Sequence, residues 1–150
     1  MKVRTEVLHF ARELPSKDVA EKLGIKEKDP VLHFERVRYA NDRPVVLEKS
    51  WTPAAECPDL KRKDLKGSLY LILLKKYHHH IVAAHQSLPA VVASEVDARI
   101  LGVQIGEPVM LVRGVTYLHD GRAIEVEESR FCARLIEFII ELGESSQYGV

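Results

Sequence analysis

VLHFERVRYA, residues 31–40, runs into Asn41-Asp42-Arg43 and then into PVVLEKSW, residues 44–51. Pro30 opens the first run, both runs are rich in β-branched and aromatic residues, and a polar trio with turn chemistry separates them, so the pattern predicts an antiparallel hairpin. Side chains two apart on a strand share a face, which groups Leu32, Phe34, Arg36 and Arg38: two core residues followed by two guanidiniums. A three-residue loop over 41–43 sets Arg36 opposite Glu48, which shares parity with Val46 and Ser50.

A second hairpin of this design is written in VMLVRGVTYLHDGRAIEVEESRF, residues 109–131, with Asp120-Gly121 at its turn. Superposing Asp42 on Gly121 aligns Arg43 with Arg122 and Glu48 with Glu127, too few identities for a true repeat. At the N-terminus Val3, Thr5 and Val7 take one parity while Leu8 and Phe10 take the other, which predicts a strand or extended arm over 1–12. Ser16 stands as N-cap of a short helix with Asp18 in its first turn, Val19, Ala20 and Leu23 on one face and Gly24 as its stop. Ser68 caps SLYLILLKKYH, residues 68–78, where Leu69, Ile72, Leu73 and Tyr77 recur at helical spacing. HIVAAHQSLPA, residues 80–90, reads as a strand. VVASEVDARILG, residues 91–102, reads as a helix with Val92, Val96, Ile100 and Leu101 inward. The tail from Leu135 continues the sheet through Phe138 before a frayed end. Without regular βαβ alternation, this order predicts an α+β domain over 1–150, a mostly antiparallel sheet with helices packed on one side of it.

The chain has 150 residues, 46% of them hydrophobic, and its 22 Lys+Arg balance 22 Asp+Glu. That length suits one core that folds without disulfide or metal. Zero net charge argues against a nucleic-acid binder, which carries a basic excess, but not against binding one small anion. Cys57 and Cys132 lack CxxC spacing, give no zinc or redox signature and suit a reducing compartment, so the expected location is cytoplasmic. The N-terminus alternates charged and apolar residues, and no apolar run approaches the ~18 residues of a membrane span.

For Arg36 and Arg38 the plain reading is a strand leaving the core, both forks facing solvent or neighbouring carboxylates. The functional reading is a receptor for phosphate or carboxylate, built of two always-charged planar forks beside an apolar wall. Glu48 then either orients a guanidinium or accepts from ligand hydroxyls, and otherwise makes a cross-strand ion pair. Ser68 and Tyr70 open a helix, where unpaired backbone N–H groups favour an anion; locally Ser68 is equally a plain N-cap and Tyr70 a core residue with a wet hydroxyl. Glu125 and Glu127 share a strand face with Ser129 and supply a carboxylate to a site or form a solvated face. His78-His79-His80, with His85 beyond, gives no metal reading, because consecutive side chains diverge and no Cys or carboxylate stands at ligand spacing. Lys61-Arg62-Lys63 is broken by Asp59 and Asp64 and lacks interleaved aromatics, so it reads as a solvated segment. No GxSxG, HExxH, P-loop or GxGxxG motif is present, and no cofactor is implied.

Taken in order, ERVRYANDRPVVLEKSWTP (35–53), LKGSLYLILLKKYHHHI (65–81) and ARILGVQIGEPVMLVRGVTYLHDGRAIEVEES (98–129) resemble the UTRA domain, the effector-binding module of GntR-type, HutC-branch bacterial transcription regulators, over about residues 3–140. The R-x-R strand, the P-x-x-x-E return, the G-S-L-Y helix start and the D-G turn carry the likeness. It implies a chorismate lyase-like fold, a homodimer and a non-enzymatic role: sensing a small anionic metabolite, a phosphosugar or carboxylate. It also implies that Arg36, Arg38 and Ser68 contact the anion, that Tyr70 and Glu48 line the site, and that Glu125 adds a carboxylate from the last hairpin. No helix-turn-helix fits upstream of residue 12, so the likeness puts DNA contact on a winged-helix domain not in this chain, which is then either an excised effector domain, the favoured expectation, or a natural stand-alone relative. Where the family often shows Y-R-x-D-R, this chain has Phe131-Cys132-Ala133-Arg134-Leu135, and Asp42 stands at a common turn glycine. A chorismate lyase-like enzyme, with the arginines holding a dicarboxylate and a glutamate as general acid, is the competing expectation; a bare dimerisation module is the third.

Overall fold

A computed structural model describes residues 1–143. Its elements in chain order are β1 (Val3–Glu13), α1 (Lys17–Leu23), β2 (Val31–Ala40), β3 (Arg43–Pro53), α2 (Leu69–Tyr77), β4 (Ile81–Ser87), β5 (Ala90–Val92), α3 (Glu95–Leu101), β6 (Pro108–Leu118) and β7 (Ala123–Cys132). Short 3₁₀ turns at Ala54–Glu56 and Arg62–Lys66 lead from β3 to α2. The strands form one antiparallel sheet in the order β1-β2-β3-β7-β6-β4, and β5 pairs with the other end of β6. The α+β architecture expected from the sequence is what the chain adopts.

The helices, however, cover both faces of the sheet rather than one. Leu69 and Leu73 of α2 pack with Leu65 over Leu32, Phe34, Leu118 and Ile124. On the opposite face Val19 and Leu23 of α1 meet Val31, Val115 and Val126, and Leu101 of α3 joins Val37, Leu47 and Val109. Strand periodicity alone hides this arrangement: β2 is apolar on both parities, at Val31 and Val37 as at Leu32 and Phe34, which is the mark of a strand buried from two sides.

Three bulges set the registers that matter. In β1 the pairing jumps from Val7↔Arg36 to His9↔Glu35, so Leu8 is the extra residue and Val7 and Phe10 both reach the α2 side. That is why apolar residues of β1 occupy two parities. In the first hairpin the loop has two residues, not three. Asn41 and Asp42 both adopt the left-handed region, at φ 49° and 61°, which their short side chains tolerate. Arg43 pairs with Ala40 and Pro44 with Tyr39, then Val45 is skipped and Val46 faces Arg38. The expected Arg36↔Glu48 pairing is therefore present, through a tight turn plus a bulge. In the second hairpin Thr116 pairs with Glu125 and Tyr117 with Ala123, leaving Ile124 as the bulge.

Two further boundaries differ from the sequence reading. Ser94 forms a capping box with Asp97, its Oγ accepting from Asp97 N (3.2 Å) while Asp97 accepts from Ser94 N (3.1 Å), so α3 begins at Glu95. Val92 consequently belongs to β5 and is exposed, as is Val96; Leu101 faces inward as expected. The sheet ends at Cys132, where Leu135 and Ile136 donate back to its carbonyl, and Phe138 only rests edge-on against Phe131, ring centroids 5.0 Å apart. The frayed end expected after Phe138 falls largely outside the described residues.

Candidate functional site

On the α2 side of the sheet, the neighbouring strands β2, β3 and β7 carry polar residues where the apolar cluster stops. One transverse row reads Arg36, Glu48, Ser129, and the next Phe34, Ser50, Glu127. The start of α2 lies above them and closes a cavity of about 190 Å³. Arg36, Arg38, Glu48, Ser68, Tyr70 and Glu125 all line it, so the structure brings together the six residues singled out from the sequence. Ser50, Leu69 and Glu127 complete the wall.

The two arginines differ in kind. Arg36 is 5% exposed and its guanidinium is almost fully engaged. Nη1 donates to the carbonyls of Leu65 (3.2 Å) and Gly67 (3.0 Å), and Nη2 lies 2.7 Å from Glu48 Oε2, an ion pair at contact distance rather than an aligned hydrogen bond. Arg36 Nε is buried with no acceptor among the described residues. The arginine thus ties the root of α2 to the sheet. Arg38 is far more open, its side chain 41% exposed, and its Nη1 stands 3.7 Å from Glu48 Oε1. Glu48 is shared between them.

At the helix start Ser68 Oγ accepts from Leu71 N (3.4 Å), and the first intrahelical bond runs from Ile72 N to Ser68 O. The N–H groups of Leu69 and Tyr70 precede that bond and are left for a ligand or water, beside the positive end of the helix dipole. Ser68 is therefore an N-cap as well as a cavity residue; the two readings coexist.

The opposite wall is acidic. Thr116 donates to Glu125 Oε1 (3.4 Å), and with its one proton so used it accepts from the Tyr70 hydroxyl (3.4 Å). Burial, then the Glu125 charge, pushes the Tyr70 hydroxyl up to about 12. Glu125 is 3% exposed, and burial, reinforced by the charge of Glu127, pushes its carboxyl up to about 7. Burial also raises Glu127, opposed by bonds from Gln86 Nε2 (2.6 Å) and Ser129 Oγ (3.2 Å). Gly114, paired with Glu127, makes the first bond possible: a Cβ there would meet His85 O and Gln86 Cγ at 2.7 Å and push β4 away. The sequence reading noted Ser50 and Glu127 for parity and missed Thr116 and Gln86. The bulge at Ile124 defines their register, and only alternation across three strands could have found them.

The remaining candidates lie elsewhere. His78 is the left-handed C-cap of α2, His79 Nε2 lies 2.8 Å from the carbonyl oxygen of Glu56, and His80 meets His119 edge-on. Among the described residues no group of three His, Cys, Asp or Glu side chains is arranged to hold a metal. Burial pushes the Cys57 thiol up to about 11, far from a reactive thiolate.

A family model described as the UTRA domain matches residues 1–135. Among curated proteins, the chain is 29% identical over 129 residues to the HTH-type transcriptional regulator GmuR of Bacillus subtilis, covering 86% of this chain and 54% of that protein. It is 32% identical over 114 residues to the HTH-type transcriptional repressor NagR of the same organism, covering 76% of this chain and 47% of that protein. The chain thus spans about half the length of these relatives. Among solved structures, a GntR-family transcriptional regulator from Enterococcus faecalis superposes with a TM-score of 0.86 at 28% identity, covering 92% of this chain and 99% of that one.

Proposed function

Because this chain belongs to the UTRA-domain family of GntR-type transcription regulators, we propose that it senses a small anionic metabolite, a phosphosugar or a carboxylate, for a regulator that reads DNA through a separate winged-helix domain. The observation that carries this reading is the meeting, in one cavity, of the half-free Arg38 fork and the unpaired N–H groups that open α2. An anion seated there draws Arg38 from Glu48 and leaves Glu48 to Arg36. Arg36 in turn holds the carbonyls of Leu65 and Gly67, so occupancy is transmitted to the start of α2 and tightens it. In a homodimer, a ligand that binds one arrangement better than the other shifts the population by its difference in affinity for the two. Regulation of this kind suits a cytoplasmic protein, and among the described residues no helix is long and apolar enough to cross a membrane.

A thermal-shift screen of sugar phosphates, carboxylates and amino-acid catabolites tests the reading. A ligand-induced shift that Arg38→Ala abolishes supports it, whereas no shift with any of these and an intact dimer favours a plain dimerisation module. One observation favours an enzyme instead: a buried Glu125 with a pKa of about 7 can donate a proton near neutrality, as a chorismate lyase-like reaction requires. Release of pyruvate from chorismate would establish that second reading.

A further inference from the structure

Two guanidiniums and three carboxylates line the cavity, so with every group ionised its wall carries one more negative than positive charge. The arrangement is lopsided. Glu48 serves both arginines, at 2.7 Å from Arg36 and 3.7 Å from Arg38, leaving one net positive charge at the end where α2 begins. At the other end the hydrogen-bond partners of Glu125 and Glu127 are neutral, Thr116 and Ser50 for the first and Gln86 and Ser129 for the second, and the cation whose charge reaches Glu125 is Arg36, already paired with Glu48. Glu125 is 3% exposed, and because burial outweighs the partial help of Arg36, its charge is costly unless a ligand's cation or a proton offsets it. A second unsatisfied group sits in the same wall: Arg36, 5% exposed, has an Nε–H with no acceptor among the described residues. One end of the cavity lacks an acceptor and the other lacks a positive charge.

Resting on the anion-sensing reading above, we propose that the effector is a zwitterion, with a phosphate or carboxylate between Arg38 and the start of α2 and a protonated amine between Glu125 and Glu127. A simple sugar phosphate satisfies the first end and leaves the second with hydroxyls alone. An ammonium supplies charge as well as donors, and hydrogen bonds between charged groups are roughly twice as strong as neutral ones. The two acidic side chains are thereby the selectivity element, and the arginine end the general anion anchor.

Calorimetric titration at pH 7.5 with matched pairs differing only by amine or hydroxyl tests this: O-phosphoserine against 3-phosphoglycerate, glucosamine 6-phosphate against glucose 6-phosphate, and 4-aminobutyrate against 4-hydroxybutyrate. The amine member of a binding pair is expected to bind at least about tenfold more tightly. Glu127→Gln is expected to erase that gap by weakening the amine member, and Arg38→Ala to abolish binding of both members. Equal or tighter binding of the hydroxyl member, still lost in Arg38→Ala, overturns the zwitterion and leaves the anion sensor standing. An amine preference that survives in both Glu127→Gln and Glu125→Gln also overturns it. No binding by any member to the parent chain removes the anion-sensing reading and the proposal together.

Discussion

The two hairpins are built alike and charged oppositely. Each has a tight turn followed within four residues by a bulge, Val45 after Asn41-Asp42 and Ile124 after Asp120-Gly121, and each aims polar side chains at the underside of α2. The β2–β3 hairpin neutralises most of its own charge, because its bulge restores the register that sets Glu48 against Arg36. The β6–β7 hairpin does not: its bulge turns Ile124 into the core and Glu125 into the cavity, with the neutral Thr116 opposite and no cation of its own hairpin to pair with. One hairpin is closed on itself and rigidly tied to the helix. The other is left incomplete, and the incompleteness is where selectivity resides.

Inserting an alanine between Val46 and Leu47 attacks the first hairpin beyond its bulge and carries the largest expected effect. It slides Leu47 and the rest of β3 by one residue against β2 and β7, turns those side chains to the opposite face and removes the cooperative unfolding transition seen by circular dichroism. Retention of a sharp transition with the parental midpoint would contradict the register argument. Arg36→Ala comes next. It strands Glu48 and two carbonyls in a buried setting, a loss of about 3–5 kcal/mol in urea unfolding. A loss under about 1 kcal/mol would mean that Arg36 is not the tie between sheet and helix.

Glu125→Gln tests the second hairpin and has the opposite sign. The folded-state pKa of about 7 lies above the ordinary 4.5, so the stabilising preference for the protonated form is fully present below about pH 4.5 and is lost as pH rises to about 7. Glutamine has nothing to titrate. The variant should therefore gain on the parent across that window, by about 3 kcal/mol at pH 8, and parallel stability–pH curves would sink the buried-acid reading. Gly114→Ala is smaller still. The added methyl drives β4 away and breaks the Gln86–Glu127 bond at a cost of about 1–3 kcal/mol, read as a lower melting temperature; an unchanged melting temperature would mean that β4 does not need the close approach at Gly114.

How much of this was legible in the residues follows from where information is local. The R-x-R strand face and the Arg36–Glu48 opposition could be read because strand parity and hairpin register are short-range properties. Even so, the register was reached through the wrong loop, since Asn41 and Asp42 in the left-handed region leave no trace that distinguishes a two-residue turn plus bulge from a three-residue loop. Ser68 as the capped start of α2 was equally local. Thr116 was not legible because the Ile124 bulge shifts the hairpin register that sets it against Glu125, and Gln86 was not because it reaches Glu127 across the pairing of β4 with β6. The covering of both sheet faces also escaped, since a short helix such as α1 announces its cap and its apolar stripe but not the face on which it lands.

The smallest expected change in stability belongs to Arg38→Ala, within about 1 kcal/mol because its ion pair is long and half exposed, yet anion capture at the start of α2 depends on it most. The amide signals of Leu69 and Tyr70 should be followed by NMR while the chain is titrated with the tightest-binding phosphorylated or carboxylated probe. Saturable shifts are expected at both amides in the parent and none in the equally folded Arg38→Ala variant. Shifts that persist unchanged in Arg38→Ala, or binding that leaves both amides unmoved in the parent, would contradict it.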